Sequence, residues 1–325
     1  MVPLKNDYLR RAAVLVLAGC ILSGSASALF GKKTEVSAEG APTVRDIAIK
    51  TYRDIPYSAQ FLGPDAEGED MVFAVVDQPR KGTVTIDGVN FVYTPNEGAT
   101  GGDSFTYAAT DSAGNTSAPA TVTITIQKTK SGVTYSDTDA KSAYAAQEMA
   151  EQGVFTGSKI GENWYFGPDQ TVSRGEFLAM TMEMTGRDVT AVTMTGFTDD
   201  AAIPTWAKAY AAAGVADGII QGSATTEGVA FRSEEKITFN EAAALLNRAL
   251  EIENVDLDVW YADRESVPSW AAQAVGNLEA VSVLQVGSFG SAEMAEAVTR
   301  ADAAQMLCAA SALLDGGSSP MDWLK

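Results

Sequence analysis

Apolar residues in this chain keep two different periods, and the change from one to the other falls near residue 130. Between Pro42 and Gln127 they alternate with polar ones: "GTVTIDGVNFVYTP" and "DSFTYAATDSAGNTSAPATVTITI" set Val, Ile, Phe and Tyr against Thr, Ser and Asp. A period of two puts the apolar members on one face of a strand. The runs are broken by Asp87-Gly88 and Ser112-Ala113-Gly114-Asn115, which favour turns. Short strands at that spacing predict a β-sandwich over 42–127. In its last strand Val122, Ile124 and Ile126 face the core while Thr121, Thr123 and Thr125 face outward, and the strand ends near Gln127.

Beyond residues 128–134, a Gly- and Ser-containing stretch read as a linker, the alternation stops. "AKSAYAAQEMAEQG", "TWAKAYAAAG" and "SWAAQAVGNLEAV" carry their apolar residues at helical spacing, and strands are not expected there. These pieces repeat. Tyr144-Ala145, Trp206-Ala207 and Trp270-Ala271 lie 62 and 64 residues apart, and each follows an aromatic-x-Asp triplet ending in Asp137, Asp199 or Asp263. The segments at Val172, Ile237 and Val298 are in phase as well, at 65 and 61 residues. Three copies of one helix-loop-helix unit are predicted, at 135–190, 195–254 and 259–315. No copy could bury its apolar face alone, so the three should fold as one unit.

The second helix of each copy opens on a hydroxyl residue followed three positions later by an acid: Ser173 with Glu176, Thr238 with Glu241, Thr299 with Asp302. That is the capping-box arrangement. Arg174 and Arg300 follow the cap in copies 1 and 3, whereas copy 2 has Phe239. A positive charge at a helix start costs about 0.3–1 kcal/mol. Two partners could offset it: an acid of a neighbouring copy, or an anionic ligand gripped by the guanidinium and the free amides of the helix start. Asp137, Asp199 and Asp263 read first as caps or turn formers. Trp206 and Trp270 read first as core packing, with ligand contact second.

Two resemblances sharpen this. The run "QPRKGTVTIDGVNFVYTPNEGATGGDSFTYAATDSAGNTSAPATVTITI" resembles the immunoglobulin-like or cadherin-like tandem repeats of bacterial surface proteins, which implies a spacer or adhesive module. The helical part resembles three S-layer homology motifs. Copy 1 keeps Phe166-Gly167-Pro168 and Ser173-Arg174-Gly175-Glu176, copy 3 keeps Thr299-Arg300-Ala301-Asp302, and copy 2 departs with Thr238-Phe239-Asn240-Glu241. Together they imply a multidomain chain: an all-β immunoglobulin-like sandwich, then an all-α pseudo-threefold bundle. In that family the grooves between motifs bind a secondary cell wall polymer, often pyruvylated. Polymer contact is then expected at Arg174 and Arg300, with Trp206, Trp270, Asp137, Asp199 and Asp263 as further contacts. S-layer or other surface proteins are the implied neighbours, and Phe239 leaves two arginine-bearing sites rather than three.

Charge and composition narrow the chemistry. A formal net charge of -19 repels phosphate backbones, so no nucleic-acid partner is expected. With no histidine in the chain, serine-histidine and cysteine-histidine nucleophiles, the usual zinc sites and histidine general bases are excluded. No spacing singles out a carboxylate pair, and the expected protein is not an enzyme. Asp65, Glu67, Glu69 and Asp70 offer oxygen ligands of the kind calcium takes, but they match no calcium-loop spacing and read first as a solvated turn; no cofactor is expected.

At the N-terminus, Lys5, Arg10 and Arg11 precede the apolar run Ala12 to Leu22 and the small-residue triplet Ala26-Ser27-Ala28. Residues 1–28 therefore read as a signal peptide and 29–41 as a leader, giving an exported cell-wall protein. The alternative is a lipoprotein anchored through Cys20, in Leu17-Ala18-Gly19-Cys20. Either way Cys308 lacks an intrachain disulfide partner and reads as a buried, inert thiol. The polar tail 316–325 carries no covalent anchoring signal.

Overall fold

A computed structural model describes residues 41–61, 71–261, 263–285 and 287–315. The expectations for the signal peptide, the leader up to residue 40, Cys20, the acidic stretch Asp65 to Asp70 and the tail lie outside these residues. The described chain falls into two compact units, one holding 41–132 with 139–144, the other 133–138 with 145–315.

The first unit is the sandwich. Strands β1 (Ile47–Tyr52), β2 (Tyr57–Gln60), β3 (Val72–Asp77), β4 (Gly82–Asp87), β5 (Asn90–Pro95), β6 (Gly101–Thr110) and β7 (Ala120–Gln127) form two sheets, in the orders β1-β7-β6-β3 and β2-β5-β4. β1 pairs parallel to β7, with Ile49 opposite Ile124, and the other pairs are antiparallel. In β7 the residues Val122, Ile124 and Ile126 are buried while Thr123 and Thr125 are exposed, as the alternation requires. The interior is aromatic: Phe61 stacks on Phe73, Phe91 and Tyr107 at centroid distances of 4.4–5.0 Å. Gly88, at φ 58°, sits in the two-residue loop that turns β4 into β5. Tyr144 also belongs to this unit. Its ring stacks on Tyr52 and meets Tyr57 edge-on at 4.6 Å.

Asp103, within the "GGDSF" run, ties the two sheets. Its carboxylate accepts from the backbone N–H groups of Arg80 and Lys81 at 3.0 and 2.9 Å and from the Tyr93 hydroxyl at 2.9 Å. Partial burial pushes its pKa up, but these donors outweigh that and leave the carboxyl below the ordinary aspartate range. Asp103→Ala should destabilise the sandwich by about 2 kcal/mol, read from the urea midpoint of its tyrosine fluorescence.

The second unit holds residues 145–151 of α1 (Ala143–Glu151), then β8 (Ser158–Ile160), β9 (Asn163–Tyr165), α2 (Arg174–Met184), α3 (Thr205–Ala216), β10 (Ser223–Thr225), β11 (Gly228–Ala230), α4 (Phe239–Leu250), α5 (Leu257–Trp260), α6 (Ser269–Ala280) and α7 (Arg300–Leu314). The expectation of an all-α unit needs correction, because copies 1 and 2 each carry a hairpin, β8–β9 and β10–β11. Strands of three mostly exposed residues have no alternation for the sequence to display. The linker is also shorter than expected: Val133 is buried and its carbonyl accepts from Gln147 Nε2. Cys308 is half-buried along α7 rather than buried.

Three residues join the copies. Val172 donates its N–H to Val298 O at 2.9 Å, Val298 to Ile237 O at 2.9 Å, and Ile237 to Val172 O at 3.0 Å, closing a ring in which all three side chains are buried. Each stands just before a cap residue, so the ring sets the starts of α2, α4 and α7 around one centre. Nearby, Phe177, Leu178, Leu246, Val275, Leu278 and Leu307 form part of one continuous core.

The segment between copies 1 and 2 is fastened by Asp200, which accepts from Lys208 Nζ at 2.6 Å and from the Thr195 backbone N–H and hydroxyl at 2.7 and 2.8 Å. Lys208, followed by Thr195, lowers its pKa to about 2. A depressed carboxylate stabilises the fold above the ordinary aspartate pKa and loses that contribution as pH falls through the folded value. Asp200→Asn should therefore flatten the loss of thermal stability between about pH 4 and pH 2, measured as the melting midpoint against pH.

Candidate functional site

The site is the set of seams where α2, α4 and α7 begin. All three helices carry a complete capping box. Ser173, Thr238 and Thr299 accept from the backbone N–H of Glu176, Glu241 and Asp302, and each acid accepts the N–H of its cap residue in return. The next amides are also occupied. Arg174 and Gly175 donate to Glu235 O and Ser233 O of copy 2, both at 2.9 Å, and Arg300 and Ala301 donate to Gln170 O and Pro168 O of copy 1, at 2.7 and 3.0 Å. The expected cluster of free amides beside each arginine does not exist, because the neighbouring copy's turn supplies carbonyl acceptors where the anion was expected.

The two arginines have different partners. Arg174, whose side chain is 16% exposed, donates from Nε to Phe231 O at 3.1 Å and from Nη1 to Glu241 Oε1 at 2.5 Å. Glu241 thus serves two helices: it closes the capping box of α4 and neutralises the arginine at the start of α2. Arg300 repeats the first contact, with Nε donating to Phe166 O at 2.6 Å, and adds Nη2 to Thr156 O at 3.3 Å. Its guanidinium lies over Phe155 and Phe166 at 4.8 and 5.2 Å and forms no ion pair among the described residues. Burial draws its pKa down, and Glu176, the equivalent of Glu241, opposes that only through longer-range attraction. Arg174 is sealed in a pair; Arg300 is not.

Asp137 and Asp199 are committed to turns within their own copies. The Asp137 carboxylate accepts from the N–H groups of Phe166 and Gly167 at 2.7 and 2.8 Å, and Asp199 accepts from Phe231 and Arg232 at 2.9 and 2.7 Å. Both carboxylate oxygens of each are used. They clamp the turn after the hairpin rather than capping a helix, and Asp199 makes no side-chain cap bond. The second turn position is left-handed in both copies, at Gly167 (φ 69°) and Arg232 (φ 58°). In copy 3, Asp263 makes no such clamp among the described residues. Glu279 from α6 takes over, accepting from Gly287 and Phe289 at 2.7 and 3.0 Å, and burial pushes its carboxyl up despite these donors. Sequence reasoning missed Glu279: its signal is an acid on the buried face of an otherwise apolar helix.

Trp206 and Trp270 are 48% and 57% exposed, which overturns their reading as core residues. The helical period gives the reason. Ala207, Ala211 and Gly214 line the buried face of α3, so a side chain one residue earlier lies about 100° away from it. Trp206 instead meets Tyr210, one turn on, edge-on at 6.5 Å.

Among the described residues no cluster of His, Cys, Asp or Glu is set to hold a metal ion, and no helix is long and apolar enough to cross a membrane.

Comparison with known proteins places residues 39–125 in the family described as a bacterial Ig domain, just over a quarter of the chain. The sandwich is thus an immunoglobulin-like domain, followed by a helical region. No curated protein matches the chain. Among solved structures it is similar to an endo-fucoidan hydrolase from glycoside hydrolase family 107, with 19% identity over 28% of this chain and a TM-score of 0.23. The chain spans 14% of that hydrolase's length. It is also similar to the SrpA adhesin from Streptococcus sanguinis, with 18% identity over 37% of this chain and 78% of that one and a TM-score of 0.22. A third similarity is to the fibronectin(III)-like modules of CbhA from Clostridium thermocellum, with 15% identity over 28% of this chain and all of that one and a TM-score of 0.18.

Proposed function

We propose that the helical unit is a set of three S-layer homology motifs which holds an exported, non-catalytic protein on an anionic, pyruvylated secondary cell wall polymer. The immunoglobulin-like domain is then displayed as a spacer or adhesive module. The observation that carries this reading is Arg300. It lies in the seam between copies 3 and 1, fixed by two carbonyl oxygens and two aromatic rings, with no carboxylate paired to it among the described residues. A desolvated guanidinium in that state favours a planar acid group that it can grip through two hydrogen bonds. The charge of -19 points the same way. A protein this acidic gains nothing from diffuse attraction to an anionic polymer, and screening over about 8–10 Å confines any gain to local contacts. Copy 2 has no arginine at this position and copy 1 has neutralised its own, so the reading concentrates anion binding at one seam.

The test is sedimentation of the full chain with isolated wall sacculi. Arg300→Ala should weaken binding at least tenfold, since a hydrogen bond to a charged group contributes about 1.5–3 kcal/mol, and Arg300→Lys should not restore it. Arg174→Ala should leave binding within about threefold and appear instead as lower stability, because its charge is already spent on Glu241. Equal pelleting of wild type and Arg300→Ala, or pelleting that survives removal of the polymer, rejects the mechanism.

A further inference from the structure

The peptide group between Thr156 and Gly157 is held from both edges. Its carbonyl accepts from Arg300 Nη2 at 3.3 Å, and its N–H donates to the Tyr135 hydroxyl oxygen at 3.2 Å. Tyr135 is half-buried, with its ring edge-on to Phe166 at 5.2 Å, the same ring that the Arg300 guanidinium covers. Two donors are left over here. The Tyr135 hydroxyl proton meets no acceptor among the described residues, and neither does Arg300 Nη1.

The other copies show that the hydroxyl is not needed for packing. Copy 2 has Phe197 at this position, stacked on Phe231 at 5.5 Å, so the ring contact forms without a hydroxyl. Copy 3 has Tyr261, stacked on Phe289 at 3.8 Å, and its hydroxyl is bonded to Glu279. Among the described residues, copy 1 alone sets a hydroxyl with an uncommitted proton beside an arginine without a carboxylate.

We propose that Tyr135 is a second recognition group of the Arg300 site, donating its hydroxyl proton to an uncharged oxygen of an acidic sugar whose carboxylate Arg300 holds. The proposal rests on the wall-polymer reading above and narrows its ligand to a sugar that carries both groups. The geometry gives the two donors separate tasks. The C=O and N–H of a trans peptide point in opposite directions, so guanidinium and hydroxyl stand on opposite edges of it, on the order of 5–9 Å apart. A carboxylate gripped through both oxygens turns them toward Arg300, which leaves the far donor for another oxygen of the same sugar. The bonds also act in series. The arginine charge polarises the peptide, whose N–H in turn draws density from the Tyr135 oxygen and makes its O–H a better donor. Burial raises the Tyr135 pKa, and the Gly157 N–H and the Arg300 charge only partly oppose it, so the hydroxyl stays protonated at neutral pH.

The experiment is an amide NMR titration of the full chain with two acidic probes, glucuronate, which has a ring with hydroxyls, and pyruvate, which has none. Followed at the Gly157 and Arg300 amides, wild type should bind glucuronate about threefold to tenfold more tightly than pyruvate, the span of one hydrogen bond, and Tyr135→Phe should erase that preference. Copy 2 carries phenylalanine at this position, so the variant is expected to fold. Against isolated sacculi the same variant should bind about threefold to tenfold more weakly than wild type. Equal weakening of both probes, which a merely structural role would give, overturns the proposal. So does a wild type without the preference, or one that neither probe shifts, which leaves the hydroxyl to water. If wild type fails to pellet with sacculi while Tyr135→Phe still erases the preference for glucuronate, the wall-polymer reading fails and the role of Tyr135 stands.

Discussion

Ile237→Asp should unfold the helical unit, at a cost of more than about 5 kcal/mol. Ile237 is almost fully buried and belongs to the ring of backbone hydrogen bonds with Val172 and Val298, where the three copies meet. A carboxylate there would lie among apolar side chains without a cation, and burying an unpaired charge is among the few single changes that exceed the stability of a domain. The effect should spread to all three copies, because none of them closes its apolar face without the other two. The measurement is circular dichroism at 222 nm: most of the helical signal should be lost at 25 °C, together with binding to sacculi. Ile237→Val, which keeps the ring apolar, should cost only about 1 kcal/mol. Helical signal retained by the aspartate variant would mean that the ring is not what holds the copies together.

The second large effect is steric. A methyl group on Gly157 would fall on the carbonyl oxygen of Tyr165, well inside van der Waals contact. Both partners are backbone, so neither can rotate away, and Gly157→Ala should force β8 and β9 apart at a cost of about 3–4 kcal/mol. The damage should reach the binding site, because the strand that moves runs directly into Phe166, whose carbonyl holds Arg300 Nε. The same position in copies 2 and 3 supplies a graded control. At Gly222 (φ 71°) the added methyl would lie 2.7 Å from the Phe197 ring and 2.9 Å from Ala230 O, whereas at Gly287 (φ 91°) nothing lies within 4 Å. Gly287→Ala should therefore cost only the left-handed backbone penalty of about 1–2 kcal/mol. The expected order of loss in melting midpoint is Gly157, then Gly222, then Gly287. Wall binding should fall most for Gly157→Ala, because only that change displaces a partner of Arg300.

The two units differ in how openly the sequence announced them. Strands β4, β5 and β7 were readable because each is half-buried, so inward and outward positions alternate along the chain and the pattern survives in one dimension. The helices of the three copies were readable from periodicity, and their starts from hydroxyl–acid pairs that act within four residues. The short hairpins β8–β9 and β10–β11 were not, since three exposed residues impose no pattern. Nor was the exposure of Trp206 and Trp270. A tryptophan beside an alanine suggests a core anchor, and only the phase of the helix against its neighbours turns the indole outward.

The amino-acid sequence by itself determined where α2, α4 and α7 begin, how many copies there are and that copies 1 and 3 carry an arginine at the helix start, because caps and periodicity act over a few residues. Partnership across copies was decided only in three dimensions. Arg174 and Arg300 occupy the same place in the same local motif, yet one meets Glu241 at 2.5 Å and the other meets no carboxylate among the described residues. That difference depends on how each helix start faces the copy beside it across the ring. Contacts separated by 67 and 134 residues are set by packing geometry, which no local spacing encodes.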